Sequence, residues 1–98
     1  MFVRLVKMSF HENQIDEFLA NFNENKNEIR HFKGCQLLEL YRDQTHTNIF
    51  FTYSYWDTEA DLEAYRHSEL FKRVWSKTKP LFNAKPEAWS VDKLVSLE

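Results

Sequence analysis

Three side chains in this chain have the type and placement to do chemistry: an indole at the end of a strand, a guanidinium among apolar neighbours, and an imidazole between two helices. Trp56 ends the run NIFFTYSYW (Asn48 to Trp56). An indole there either packs as a core corner or places its ring in a cavity with its N–H free to donate to a ligand. Arg4 alternates with Phe2, Val6 and Met8 and so shares a sheet face with them. A charge on such a face must find acceptors. The favoured acceptor is an internal carboxylate such as Glu39, and the alternative is an anionic ligand, a phenolate or carboxylate. His67 is the one candidate general base that titrates near neutral pH. As a helix-junction residue, it also reads as an exposed cap.

Other chemistries lack their residues. His11, His31 and His46 are scattered, with no HxH or HxxxH spacing, so no metal site is expected. Glu59 and Asp61 are first-turn helix charges, not an acid/base pair. There is no phosphate-binding glycine loop and no dinucleotide fingerprint in a chain with one glycine. Cys35, the only cysteine, lies in a strand pattern and reads as a small buried hydrophobe.

These residues are positioned by a readable series of elements. Phe2 to Met8 predicts a strand, and Ser9 with Glu12 has the spacing of a capping box. Ile15, Phe18, Leu19, Phe22 and Ile29 then recur at helical spacing, which leaves Asn, Glu and Lys for the wet face. Gly34 marks the stop, Cys35 to Tyr41 a second strand, and Asp43 to Asn48 a polar hairpin loop into the third strand. Asp57 and Thr58 are N-caps of a helix ending near Arg66. Ser68 caps another with Leu70, Phe71, Val74 and Trp75 on one side. Pro80 and Pro86 bracket a loop before a fourth strand, Ala88 to Val95. The order is βαββαβ with the second helical region split in two: an α+β, ferredoxin-like fold with an antiparallel sheet.

At 98 residues the chain forms a single domain, residues 1–98, of which 16% is aromatic. A formal charge of -2 gives no reason to expect nucleic acid. No stretch approaches the ~20 apolar residues of a membrane span, and there is no signal-peptide pattern, so a cytoplasmic protein is expected. One face of the third strand carries Ile49, Phe51, Tyr53 and Tyr55; the other carries Phe50, Thr52, Ser54 and Trp56. Helices cover only one face, so a homodimer with the second face covered by another copy is expected.

The segments NIFFTYSYW, DTEADLEAYR (Asp57 to Arg66), SELFKRVWSKTKPLF (Ser68 to Phe82) and HFKGCQLLELYRD (His31 to Asp43) together resemble the antibiotic-biosynthesis monooxygenase family. The resemblance covers nearly the whole chain and implies a dimeric α+β barrel, with Trp56 lining the substrate pocket. Family polyketide oxygenases carry an asparagine four residues before this tryptophan and a tyrosine six after it; here those places hold Thr52 and Leu62. Tyr65 replaces the tyrosine only if its helix turns it inward. Haem-degrading relatives need a histidine where Trp75 stands and an asparagine where Arg4 stands, so haem degradation is not expected. The expected function is a cofactor-independent monooxygenase acting on an electron-rich aromatic, a quinol or polyphenol. Trp56, Arg4 and His67 are its catalytic candidates, and Phe18, Phe22, Phe71 and Trp75 its substrate-binding walls. The alternative is a non-catalytic dimer binding a small hydrophobic or aromatic molecule.

Overall fold

A computed structural model describes residues 1–98. Strand β1 (Phe2–Ser9) leads through a short 3₁₀ turn (Glu12–Gln14) into α1 (Ile15–Arg30). Then come β2 (Cys35–Arg42), β3 (Ile49–Trp56), α2 (Glu59–Arg66), α3 (Glu69–Thr78), a second 3₁₀ turn (Lys79–Leu81) and β4 (Glu87–Val91). The four strands form one antiparallel sheet in the order β2-β3-β1-β4. This is the expected ferredoxin-like α+β arrangement, with all three helices on one face.

Two caps work as the sequence predicts. The Thr58 side chain accepts from the Asp61 backbone N–H, and Ser68 from that of Phe71. The capping box at Ser9 does not form. Ser9 remains in β1 and its hydroxyl bonds Asn83 at 2.6 Å, while α1 starts six residues later at Ile15 without a side-chain cap. The chain between Phe10 and Phe82 closes instead as a β-bridge, with Phe10 wholly buried and stacked on Phe18 at 4.2 Å. Burial of such a ring contributes roughly 1.5–3 kcal/mol, more than one cap hydrogen bond.

The expected wet face of α1 also needs correction: Asn21 and Asn25 are buried where α1 meets α3. The Asn21 amide donates to the Val74 carbonyl and the Thr78 hydroxyl, each at 3.1 Å. Arg73 donates to the Asn25 side-chain oxygen at 3.1 Å. These residues are paired across helices, which offsets their desolvation. Strand β4 ends at Val91 rather than Val95, and Leu94, Val95 and Leu97 lie in the exposed segment that follows.

Apart from Val3 and Ile29, the buried apolar residues form two clusters. One holds Met8, Phe10, Phe18, Phe50 and Leu81; the other holds Cys35, Trp56 and Leu62 with Phe32 and Tyr65 against it. Between them, under the helices, the sheet is incompletely covered.

Candidate functional site

Because strand side chains alternate, Arg4, Val6 and Met8 of β1 share the helix-covered face with Thr52, Ser54 and Trp56 of β3. Arg4 lies directly opposite Ser54, and Ser54 opposite Leu38. Glu39 therefore points to the other face, where it accepts a hydrogen bond from the Tyr41 hydroxyl. The expected Arg4–Glu39 ion pair does not exist. Arg4 donates instead to the Ser90 hydroxyl on β4 at 2.9 Å and has no carboxylate partner. Burial holds its pKa below the usual arginine value, the positive charge of Arg66 lowers it further, and Glu63 opposes both.

A cavity of about 310 Å³ lies above this floor, at the small end of the ~300–1,000 Å³ of small-molecule sites. Its lining is mostly apolar and includes Phe18, Phe22, Phe71 and Trp75, the walls expected from sequence, together with Trp56 and Arg4. Phe71 and Trp75, one helical turn apart on α3, stack at 5.7 Å with their planes 13° apart. His67 is not brought to this site. It caps the C-terminus of α2 with its side chain 79% exposed and 3.4 Å from Glu63, because a residue one past Arg66 falls off the inward stripe of that helix.

Trp56 is only 1% exposed and stacks on Tyr65 at 5.2 Å. Its N–H is not free, since it donates to the Ser54 hydroxyl across 3.0 Å. The donor that remains is the Ser54 hydroxyl proton, which has no protein acceptor on a residue that lines the cavity. Tyr65 is turned inward, as a substitute for the missing family tyrosine must be. Its hydroxyl makes no protein hydrogen bond, and no fully buried polar side-chain atom in the molecule lacks a partner, so that hydroxyl is not completely sealed, on a residue that lines the cavity. Burial, and then the nearby Cys35, push its pKa well above the usual tyrosine value. The Cys35 thiol is likewise raised by burial. It bonds the Leu37 carbonyl at 3.6 Å, which suits a packing role.

Arg66 is a second cationic residue of the cavity, which the sequence reading did not single out. Leu62, Tyr65 and Arg66 stand at i, i+3 and i+4, one helical face, and all three line the cavity. That spacing was the available signal. For Ser54 it was the period of two from Trp56. The arrangement offers apolar walls, hydroxyl donors at Ser54 and Tyr65, and positive charge at Arg4 and Arg66.

The family model for antibiotic biosynthesis monooxygenase matches residues 1–76. The chain superposes with a TM-score of 0.90 on a crystal structure described as an antibiotic biosynthesis monooxygenase, at 19% identity over 97% of this chain and 100% of that one. A conserved protein from Methanosarcina mazei superposes at 0.88 with 19% identity, covering 95% and 93%. A Mycobacterium tuberculosis protein does so at 0.88 with 11% identity, covering 99% and 98%. Identities this low show a shared fold. No curated protein sequence matches significantly. No helix is long and apolar enough to cross a membrane.

Proposed function

The chain belongs to the antibiotic biosynthesis monooxygenase family, and on that premise we propose that its cavity is the site of a cofactor-independent monooxygenase acting on a quinol or polyphenol. The observation that carries this reading is an apolar cavity in which the buried Ser54 hydroxyl, fixed by Trp56, keeps an unused proton. Such a substrate supplies its own electrons. A quinol with a free ring C–H and O₂ give a hydroxyquinone and water: one oxygen atom enters the ring, the other leaves as water, and the ring loses four electrons.

The protein then has modest tasks. Phe18, Phe22, Phe71 and Trp75 hold the ring and exclude water. The charge of Arg4 favours the more reducing phenolate. The Ser54 hydroxyl, held by Trp56, donates to the oxygen on which charge develops. Tyr65, whose proton is held more firmly by burial, serves as a neutral hydrogen-bond donor and not as an acid. His67 has no part in this scheme because it lies outside the cavity.

The site belongs to a homodimer. The outer sheet face carries Leu5, Phe51, Tyr53, Tyr55 and Trp89; Lys93 of the C-terminal segment lies over the Tyr55 ring at 4.3 Å, and no helix of this chain covers the rest. Leu94, at 89% exposure, and Val95 extend the apolar surface beyond β4. A second copy of the sheet covers such a face at an ordinary ~1,200–2,000 Å².

The rival reading, a non-catalytic binding protein, is favoured by one feature: the cavity has no histidine, and its carboxylate, Glu87, stands 3.9 Å from Lys7 at the rim. Oxygen uptake with a panel of quinols and anthrones decides between the two. Substrate-dependent uptake by the purified protein supports the oxygenase, and binding without uptake supports the rival.

A further inference from the structure

Arg4 and Arg66 reach one cavity from different elements, β1 and α2, and only Arg66 has a carboxylate partner, the half-exposed Glu63. Arg4 is half-buried, and its only hydrogen bond is to the neutral Ser90 hydroxyl at 2.9 Å. Arg66 gives Nη1 to Glu63 at 2.9 Å, which leaves Nη2 and Nε without a protein acceptor. The same carboxylate is shared with His67, 3.4 Å away, on the solvent side of α2. Glu87, the carboxylate on the cavity rim, is turned to Lys7. Two guanidinium groups thus line a mostly apolar cavity, with one half-exposed carboxylate, Glu63, paired to Arg66. Arg66 is half-exposed and paired, so the charge that an anion in the cavity would complete is first that of the partly buried Arg4, which has no carboxylate partner.

We propose that the ligand is an aromatic acid: a ring system seated among Phe18, Phe22, Phe71 and Trp75, with a carboxylate held by Arg4 and Arg66 together. A carboxylate is flat, permanently charged near neutral pH and has two oxygens, which matches the forked donors of arginine. The floor next to Arg4 is Ser54, its direct partner across β1 and β3, so the acid group sits beside the hydroxyl assigned to the reacting oxygen. This places the substrate among phenolic acids rather than neutral quinols. The inference rests on the cavity being a small-molecule site and not on turnover.

The test compares 2-naphthoate with 2-naphthamide, neutral and of nearly the same shape, by calorimetry and by quenching of the cavity tryptophans. The acid is expected to bind at least about tenfold tighter than the amide, as hydrogen bonds to charged groups allow. Added salt should reduce the preference. Arg66→Gln, at a half-exposed position where folding is not at risk, should bring the ratio to within about threefold, and Arg66→Lys should restore only part of it. Arg4→Gln, checked by its melting curve, should act in the same direction. Equal binding of acid and amide by wild type, or an unchanged ratio in Arg66→Gln, overturns the proposal. Acid-selective binding without oxygen uptake from any phenolic acid upholds it while removing the oxygenase reading. Uptake from neutral quinols with no preference for acids does the reverse.

Discussion

The indole N–H of Trp56 and the hydroxyl of Ser54 form a 3.0 Å hydrogen bond within one face of β3. Trp56 consequently has no free N–H to offer a ligand; it fixes the rotor of the Ser54 hydroxyl, to which the proposed function gives the donor role. Ser54→Ala should lower turnover by on the order of 10²- to 10³-fold, the usual loss when a donor to developing negative charge is removed. Trp56→Phe should cost less in rate, and the double variant should be no slower than Ser54→Ala, since both changes remove one unit. A double-mutant cycle on kcat checks this. Additive losses would mean that the indole acts on substrate independently.

Tyr65 provides a pH signature. Its folded-state pKa is raised above the ordinary value of about 10 by burial, so the folded protein holds the phenol proton more tightly than the unfolded chain. That contribution to stability is complete below pH ~10 and declines as pH rises beyond it, because only the unfolded chain then ionises readily. Urea midpoints of wild type and Tyr65→Phe should run parallel below that pH, and wild type should fall relative to the variant above it. A constant offset at all pH values would contradict the assigned burial.

Homodimer formation should be visible by light scattering at micromolar concentration. Leu5 lies between Tyr53 and Trp89 on the outer face, so Leu5→Arg places charge at the centre of the interface. The variant is expected to scatter as a monomer and keep a cooperative melt. A monomeric wild type would remove the partner sheet from the account.

Gly34 links the end of α1 to β2 at φ +90°, and a Cβ there would lie 2.4 Å from the Asp61 side chain on α2. Gly34→Ala should therefore destabilise by more than the ~1–3 kcal/mol of backbone strain alone. Adding Asp61→Ala, which keeps the Cβ at 2.4 Å, should recover little, whereas adding Asp61→Gly should recover the steric part only. Denaturant midpoints of these variants separate the contributions.

The fold was largely legible because its signals were periodic. Alternation in β1 and β3, the Phe18–Phe22–Ile29 stripe and the caps at Thr58 and Ser68 each act locally. The errors fell where a tertiary contact overrode a local rule. Asn21 and Asn25 look like surface residues until α3 supplies Thr78, Val74 and Arg73 as partners. Ser9 has the spacing of a cap, but Asn83, distant in sequence, claims its hydroxyl. Of the residues named from sequence, Phe18, Phe22, Phe71, Trp75, Trp56 and Arg4 line one cavity. The sequence reading assigned the Trp56 donor to a ligand because hydrogen bonds between neighbouring side chains on a strand leave no mark in composition. His67 was favoured for its titration range alone, while helical geometry put Arg66 in the cavity and the imidazole in water.

The most direct test of the account is a single-turnover reaction under ¹⁸O₂ with a phenolic acid or quinol bound to the metal-chelated, flavin-free protein. The account predicts one ¹⁸O atom in the quinone product, the other in water, one O₂ consumed per substrate, and a rate at least about 10²-fold lower in Ser54→Ala at unchanged ligand occupancy. A fully occupied wild-type cavity that consumes no oxygen, or a product whose new oxygen comes from water, would contradict it.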